Sequence, residues 1–287
     1  MSARSVIVTG AGQGLGRAHA LALGRAGFDV VVNDVGDAAH AVAEEIRAAG
    51  GRAVGHPCDV ADWSAAEGLV GAAVDAFGRL DALVNNAGIV RDRMLVGMSE
   101  AEWDDVVRVD LKGHFCPLRH AAAHWRERSK AGEPVDARIV NTSSGAGLMG
   151  SVGQGNYAAA KAGVVALTQV AAVELARYGV TVNALAPAAR TPMTEAVFAE
   201  TMARPESGFD AMDPANVSPL VVWLAGEESG FVTGRVFEVE ADRVGICDGW
   251  RFGPRRSAGR RWRVGELGPV VKDLLSEAEP PTPVYGA

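Results

Sequence analysis

Ser5-Val6-Ile7-Val8-Thr9-Gly10-Ala11-Gly12-Gln13-Gly14-Leu15-Gly16 is the stretch whose reading decides the fold. Ser5 to Thr9 form a short apolar, β-branched run, the pattern of a strand buried on both faces. Gly10, Gly14 and Gly16 follow at Gly-x-x-x-Gly-x-Gly spacing, one glycine offset from the Gly-x-Gly-x-x-Gly fingerprint. Arg17 to Gly27 then reads as a helix, with Ala18, Leu21, Ala22 and Leu23 available for packing. Strand, glycine turn and helix in this order predict a dinucleotide site. The glycines let backbone approach a pyrophosphate, and the helix start offers unpaired N–H groups and a favourable dipole. Gln13 and Leu15, inside the turn, join the three glycines as candidate cofactor contacts.

Asp29-Val30-Val31-Val32-Asn33-Asp34 is a second buried-strand pattern, and it ends in a carboxylate. Asp34 lies about twenty residues beyond the glycines, where an acid binds the ribose hydroxyls of the adenosine half. A carboxylate there repels a 2′-phosphate, so NAD is expected rather than NADP. Arg17 is expected to pack near the pyrophosphate or to face solvent.

The chemistry is concentrated further along. Tyr157 and Lys161 stand four apart in Tyr157-Ala158-Ala159-Ala160-Lys161, with Ser144 thirteen residues upstream. On a helix, positions four apart share a face. A lysine ammonium beside a phenol favours the phenolate and so makes it a usable acid/base near neutrality. A serine hydroxyl aimed at the same substrate oxygen would help to hold it. Tyr-x-x-x-Lys also occurs by chance on helices, and its weight here comes from the dinucleotide signature before it.

Taken together, the chain resembles the short-chain dehydrogenase/reductase superfamily over nearly its whole length. The matching pieces are Thr9 to Gly16, Cys58-Asp59-Val60, Asn85-Asn86-Ala87-Gly88, Asn141-Thr142-Ser143-Ser144, the Tyr157/Lys161 pair and Asn183-Ala184-Leu185-Ala186-Pro187. The resemblance implies that Asp59 and Val60 border the adenine, and that Asn86, Ala87 and Gly88 line the adenosine side. It implies that Lys161 also binds the nicotinamide ribose. Pro187 and Thr191 would lie toward the nicotinamide, Thr191 near its carboxamide. One departure stands out: the family usually has an asparagine in a segment like Val109-Asp110-Leu111-Lys112-Gly113, and here the position is Asp110. The asparagine supports a water relay to the lysine through a helix distortion. Asp110 is therefore a candidate site residue, whether it serves the relay, stabilises charged Lys161, or simply replaces the asparagine.

Length and composition agree. A chain of 287 residues suits one large α/β domain, a Rossmann-type doubly wound parallel sheet. Further strand candidates are Arg52 to Pro57, Ala82 to Asn85, Ala137 to Asn141, Val180 to Ala184 and Val236 to Val239. We place the catalytic domain at 1–250, with a substrate lid at about 188–214 and a C-terminal extension at 251–287. A net charge of −7 argues against nucleic acid as a partner. Cys58, Cys116 and Cys247 lack metal spacing, the six histidines form no metal array, and no metal is expected. No secretory signal and no apolar run of membrane length are apparent, so no membrane association and a reduced cytoplasmic setting are expected. His114 and His120 should pack or face solvent, and Trp103 and Trp223 should anchor the core.

Two regions should set the substrate. Ala146 to Asn156 lies between Ser144 and Tyr157, with Leu148, Met149 and Val152 offering an apolar wall. In the lid, Met193, Val197, Phe198 and Met202 recur at helical spacing, on an amphipathic lid helix or as core. Both favour an apolar alcohol or ketone over a sugar. Ser218 to Ala225 reads as a helix before the last strand, and Gly265 to Ala278 as a short helix in the extension. The basic cluster Arg251, Arg255, Arg256, Arg260, Arg261 and Arg263 fits a phosphate or coenzyme A contact, a subunit contact, or a solvated turn. The tail from Pro280 cannot continue a helix. It is expected to be disordered or to lie across a neighbouring subunit.

A narrower resemblance is to the dehydrogenase part of peroxisomal multifunctional enzymes and their bacterial single-domain relatives. It rests on Val31 to Asp34, Asn86 to Met94, Gly153 to Tyr157 and Ala186 to Thr194. That group oxidises (3R)-hydroxyacyl-CoA thioesters, and some members act on steroid hydroxyls. The resemblance therefore implies an NAD-dependent secondary-alcohol dehydrogenase on a 3-hydroxyacyl thioester, such as a CoA-linked one, or a similar apolar substrate. A hydroxysteroid dehydrogenase is an alternative. A 3-oxoacyl carrier-protein reductase is another, although its usual NADPH fits Asp34 poorly. A homodimer or homotetramer is implied as well. A non-catalytic nucleotide-binding protein would be expected to lose Tyr157, Lys161 or Ser144, and all three are present.

Overall fold

The computed structural model describes residues 3–195 and 202–286. The apolar runs become strands: β1 (Ser5–Val8), β2 (Asp29–Val32), β3 (Arg52–Gly55), β4 (Ala82–Asn85), β5 (Ala137–Thr142), β6 (Val180–Ala188) and β7 (Val236–Glu240). They pair in the order β3-β2-β1-β4-β5-β6-β7, all parallel, and β8 (Arg243–Cys247) closes the sheet antiparallel to β7. The sequence reading did not foresee β8. It returns through a two-residue turn in which Ala241 takes a left-handed φ of 54°.

Both faces of the sheet are covered, which is why the strands read as continuous apolar runs. Side chains alternate across a strand. Val6 and Val8 therefore join one core with Leu23, Ile46 and Leu224, while Ile7 joins the other with Leu69, Leu118 and Trp125. The first core is capped by α1 (Gly14–Arg25), α2 (Ala38–Ala48) and later α9 (Ser218–Ala225). The second lies under α3 (Trp63–Phe77), α5 (Gly113–Lys130) and α7 (Gly155–Leu175). Between α3 and α5 come α4 (Glu100–Val106), opened by a Ser99/Glu102 capping box, and a π-helical turn at Val107–Lys112. The remaining helices are α6 (Gly145–Met149), α8 (Pro192–Glu195) and α10 (Val264–Glu277).

Some expectations need correction. Trp103 is 41% exposed, and the deep anchor is Trp125, whose Nε1–H donates to the Leu80 carbonyl at 2.7 Å. Trp223 packs, partly buried, against the first core, and His114 and His120 are buried, in keeping with the packing expected for them. The segment Gly155–Tyr178 is, by length and composition, apolar enough to cross a membrane, contrary to the sequence reading. Its length is used inside the fold, where Ala171 and Ala172 pack under the sheet. Val197 and Phe198 of the lid pattern lie outside the described residues. The tail is neither loose nor set away from its own chain: Tyr285 bridges to Ser151.

Candidate active site

The functional candidates collect where the strands end. Gly10 follows β1, Asp34 follows β2, Asn86 to Gly88 follow β4, Ser144 follows β5 and Pro187 sits near the end of β6. This carboxyl edge, between β1 and β4 where the strand order reverses, is the binding crevice of an open α/β sheet.

The glycine turn is built for close approach. Gly10 has φ of 61°, and a Cβ there would stand 2.7 Å from the Ala87 Cα. A side chain at Gly16 would run into the Gly10 carbonyl, so α1 could not seat against the turn. Asn86 stitches the turn from the other side. Its Nδ2 donates to the Thr9 and Gly10 carbonyls at 3.1 and 3.2 Å, and its own N–H goes to Thr9 Oγ1 at 2.9 Å. The Asn86 amide thus supports the turn, a task the sequence did not reveal. Gln13 begins α1 in an extended conformation without a side-chain cap, which leaves the first helical N–H groups for an anion.

Asp34 is held in place by backbone. Its Oδ2 accepts from Gly12 N at 2.9 Å and its Oδ1 from Val35 N at 2.8 Å. A carboxylate keeps further lone pairs, so hydroxyls can still be accepted there. Asp59 is paired with Arg108 at 2.6 Å, and burial is outweighed by the Ala61 N–H and that guanidinium, which together keep its carboxyl below the usual range. Arg108 was not singled out from sequence, and nothing local marks it.

At the other end, α7 carries Tyr157 and Lys161 on one face, with the Lys161 Nζ 5.6 Å from the Tyr157 ring centre. Asn156, fully buried, pins the start of this helix by donating to the carbonyls of Arg91 and Glu102 at 3.1 and 3.0 Å. Lys161 is 2% exposed, and its ammonium donates to the Thr142 carbonyl at 3.0 Å. Ser144 caps α6, its Oγ accepting from Ala146 N at 3.2 Å. That bond uses an oxygen lone pair and leaves the hydroxyl proton free to be donated.

A cavity of about 490 Å³ joins the two ends. It is lined by Gly10, Gln13, Gly14, Leu15, Asp34, Asp59, Val60, Asn86, Ala87, Gly88, Ser144, Tyr157, Lys161, Pro187 and Thr191. Gly16 and Asp110 are not on its surface. Gly16 lies beneath the turn, and Asp110 stands behind Lys161 with no exposure, its Oδ2 3.4 Å from Nζ. Ile89 N–H donates to Asp110 Oδ1 at 2.8 Å. Burial pushes the Asp110 carboxyl up, against the pull of Lys161 and that N–H. Asp110 sits in the π-helical turn, so the distortion implied by the family is present with a carboxylate in it.

The apolar wall differs in part from expectation. Leu148 turns away to pack on Ala184, Ala186 and Val236, and Val152 is 46% exposed. Met193 and Thr194 line the cavity instead, and Thr191 approaches the glycine turn. Arg190, buried at the lid base, donates to the Met202 carbonyl at 2.9 Å and pairs with Asp210. Among the described residues, no cluster of His, Cys, Asp or Glu could hold a metal.

Known proteins resemble the chain in sequence and fold. The family model described as short chain dehydrogenase matches residues 4–201. The chain is 46% identical to the hydroxyacyl-CoA dehydrogenase ChsB1 of Mycobacterium tuberculosis, over 98% of this chain and 91% of that one. It is 42% identical to the peroxisomal multifunctional enzyme type 2 of Mus musculus, over 84% of this chain but only 32% of that longer protein. A crystal structure of a short chain dehydrogenase from Mycobacterium avium superposes with a TM-score of 0.92 at 58% identity, covering 99% of this chain and 98% of that one. With the glycine turn, the crevice and the Ser-Tyr-Lys face all in one cavity, the chain belongs to the short chain dehydrogenases, oxidoreductases that use a nicotinamide cofactor.

Proposed function

We propose that the protein is an NAD-dependent dehydrogenase that interconverts a secondary alcohol and a ketone, with a 3-hydroxyacyl thioester or a similar apolar molecule as substrate. One observation carries this reading: a single cavity has the Asp34 carboxylate at one end and Ser144, Tyr157 and Lys161 at the other. Asp34 supports NAD, because a fixed carboxylate repels a 2′-phosphate. Arg17, near the start of the first helix, is paired with Glu45 at 2.5 Å rather than turned to that site.

A bound nicotinamide supplies the hydride acceptor for oxidation and the donor for reduction. The protein handles the proton. In oxidation the Tyr157 phenolate oxygen takes the proton of the substrate hydroxyl. The Ser144 O–H donates to the same substrate oxygen and fixes its place. The charge on Lys161 Nζ, itself nearly fully buried, stabilises negative charge on the phenol oxygen. Reduction runs through the same groups in reverse.

The thioester assignment is supported by likeness to the mycobacterial hydroxyacyl-CoA dehydrogenase. The arginine cluster lends little to a coenzyme A contact. Arg256 pairs with Asp273 and Glu277 at 2.6 and 2.5 Å, and Arg260 with Glu266 at 2.7 Å. Assembly as a dimer or tetramer, and a cytoplasmic setting, belong to the proposal. The outer face of α7 supports assembly, with Val170 55% and Val173 81% exposed in the single chain.

The test is NADH formation by purified protein with a (3R)-hydroxyacyl-CoA panel and a hydroxysteroid panel, each with NAD⁺ and NADP⁺. Turnover of thioesters with NAD⁺ supports the proposal. Turnover of steroids alone moves the assignment to hydroxysteroids, and a preference for NADP⁺ with 3-oxoacyl substrates moves it to the carrier-protein reductases.

A further inference from the structure

The loop from Gly145 to Gln154 joins the serine to the tyrosine helix, and the end of the chain is docked on it. Val152 N–H donates to the Tyr285 carbonyl at 2.9 Å, and Tyr285 N–H donates to the Gly150 carbonyl at 3.3 Å. Ser151 and Tyr285 thereby form a parallel bridge across more than a hundred residues of sequence. The side chains follow the backbone. A Cβ on Gly145 would lie 2.7 Å from the Tyr285 hydroxyl and 2.9 Å from its Cε2. A Cβ on Gly150 would touch Val284 Cγ1 at 3.4 Å. Gly145 follows Ser144 in the chain, so the Tyr285 ring packs on the residue beside the candidate catalytic serine, just outside the lining of the cavity.

Resting on the functional reading above, we infer that the 284–286 segment walls the outer side of the substrate entrance, and that Tyr285 sets how bulky an acyl group the site accepts. A group on the reacting carbon that extends out of the cavity over Gly145 and Gly150 would meet this ring. The glycines make the room, and the tail fills it. Tyr285 is 47% exposed, so the residue stays accessible from solvent while its ring edge packs against Gly145. Burial and the nearby Glu238 and Glu240 push its phenol up, so it meets a substrate as a neutral, largely apolar surface. This makes Tyr285 a specificity residue rather than an acid/base group.

The experiment compares wild type with Tyr285→Ala, Tyr285→Phe and Tyr285→Trp on short and long-branched 3-hydroxyacyl-CoA thioesters. A parallel series of short and long-branched ethyl 3-oxo esters is run in reduction. The readout is the ratio of kcat/KM for bulky over small substrate. Tyr285→Ala should raise that ratio about tenfold, the scale of adding or removing a methylene-sized block in a pocket. Tyr285→Phe should keep the wild-type ratio, and Tyr285→Trp should lower it. An unchanged ratio in the alanine and tryptophan variants overturns the inference. So does a parallel loss on every substrate that tracks a lowered Tm, which would mean the tail only braces the loop. If wild type turns over no thioester, the functional reading fails alone, and the ester series still decides the role of Tyr285.

Discussion

The Lys161 ammonium and the Asp110 carboxylate stand 3.4 Å apart where water does not reach, with Asp110 fully buried and Lys161 nearly so. Lys161 therefore faces two ways, toward the phenol ring of Tyr157 on the cavity side and toward a carboxylate on the π-helical side. The negative charge behind it offsets part of the field it projects on the phenol.

Asp110→Asn removes that offset. The apparent acidic limb of kcat/KM for alcohol oxidation should move to lower pH by about half a unit or more. The maximal rate should change by less than about tenfold, because Asp110 is set back from the cavity and acts through Lys161. A pH–rate profile of the variant checks this, and an unchanged profile would make Asp110 a neutral replacement.

Tyr157→Phe keeps the ring and loses the proposed proton carrier. Turnover should fall by about a hundred- to ten-thousandfold. NADH binding, followed by quenching of intrinsic fluorescence, should be retained. Substantial activity in this variant would assign the proton transfer elsewhere.

Asp34→Asn removes the charge proposed to oppose a 2′-phosphate while keeping an oxygen acceptor. The preference for NAD⁺ over NADP⁺, measured as a ratio of kcat/KM, should fall by at least about tenfold. A ratio that does not move would mean that the discrimination lies outside residue 34.

His19 is fully buried, bonded through Nδ1 to Ser218 Oγ at 2.9 Å, and burial lowers its imidazole to about 3. Below pH about 6.5 the unfolded chain binds a proton that the folded one refuses, so stability falls with pH and levels off near the folded value. The loss from this group is about 2 kcal/mol at pH 5. Urea midpoints between pH 7 and pH 5 should show it, and His19→Asn should flatten the slope. His114, lowered well below its ordinary value by burial and then by Lys161, adds in the same direction.

What the sequence disclosed was mostly local. Val6 to Val8 and Val30 to Val32 announce buried strands because both faces of each must be apolar, and the glycines after β1 mark a turn by their spacing alone. Tyr157 and Lys161 are legible because helical geometry fixes their relation. Trp103 and Trp125 show the limit: both are tryptophans near helical patterns, and only packing against Leu80 tells which is inside. The β8 strand was missed because Arg243 to Cys247 forms an outer edge strand, with Val244 and Ile246 largely exposed, and carries no two-sided apolar run. Tyr285 was missed for a related reason. Its contact with Gly145 joins distant parts of the chain through glycines, which leave no side-chain pattern to read.

The two backbone N–H groups on Asp34 also bear on how coenzyme choice can change by descent. The carboxylate proposed to select against a phosphate is also the acceptor that ties Gly12 to Val35 across the turn. A one-step replacement by a small apolar residue would lose both bonds and loosen the turn before any new preference could be selected. A lineage that changes coenzyme in this scaffold should therefore pass through residues that still offer an oxygen at position 34, or acquire a compensating acceptor first.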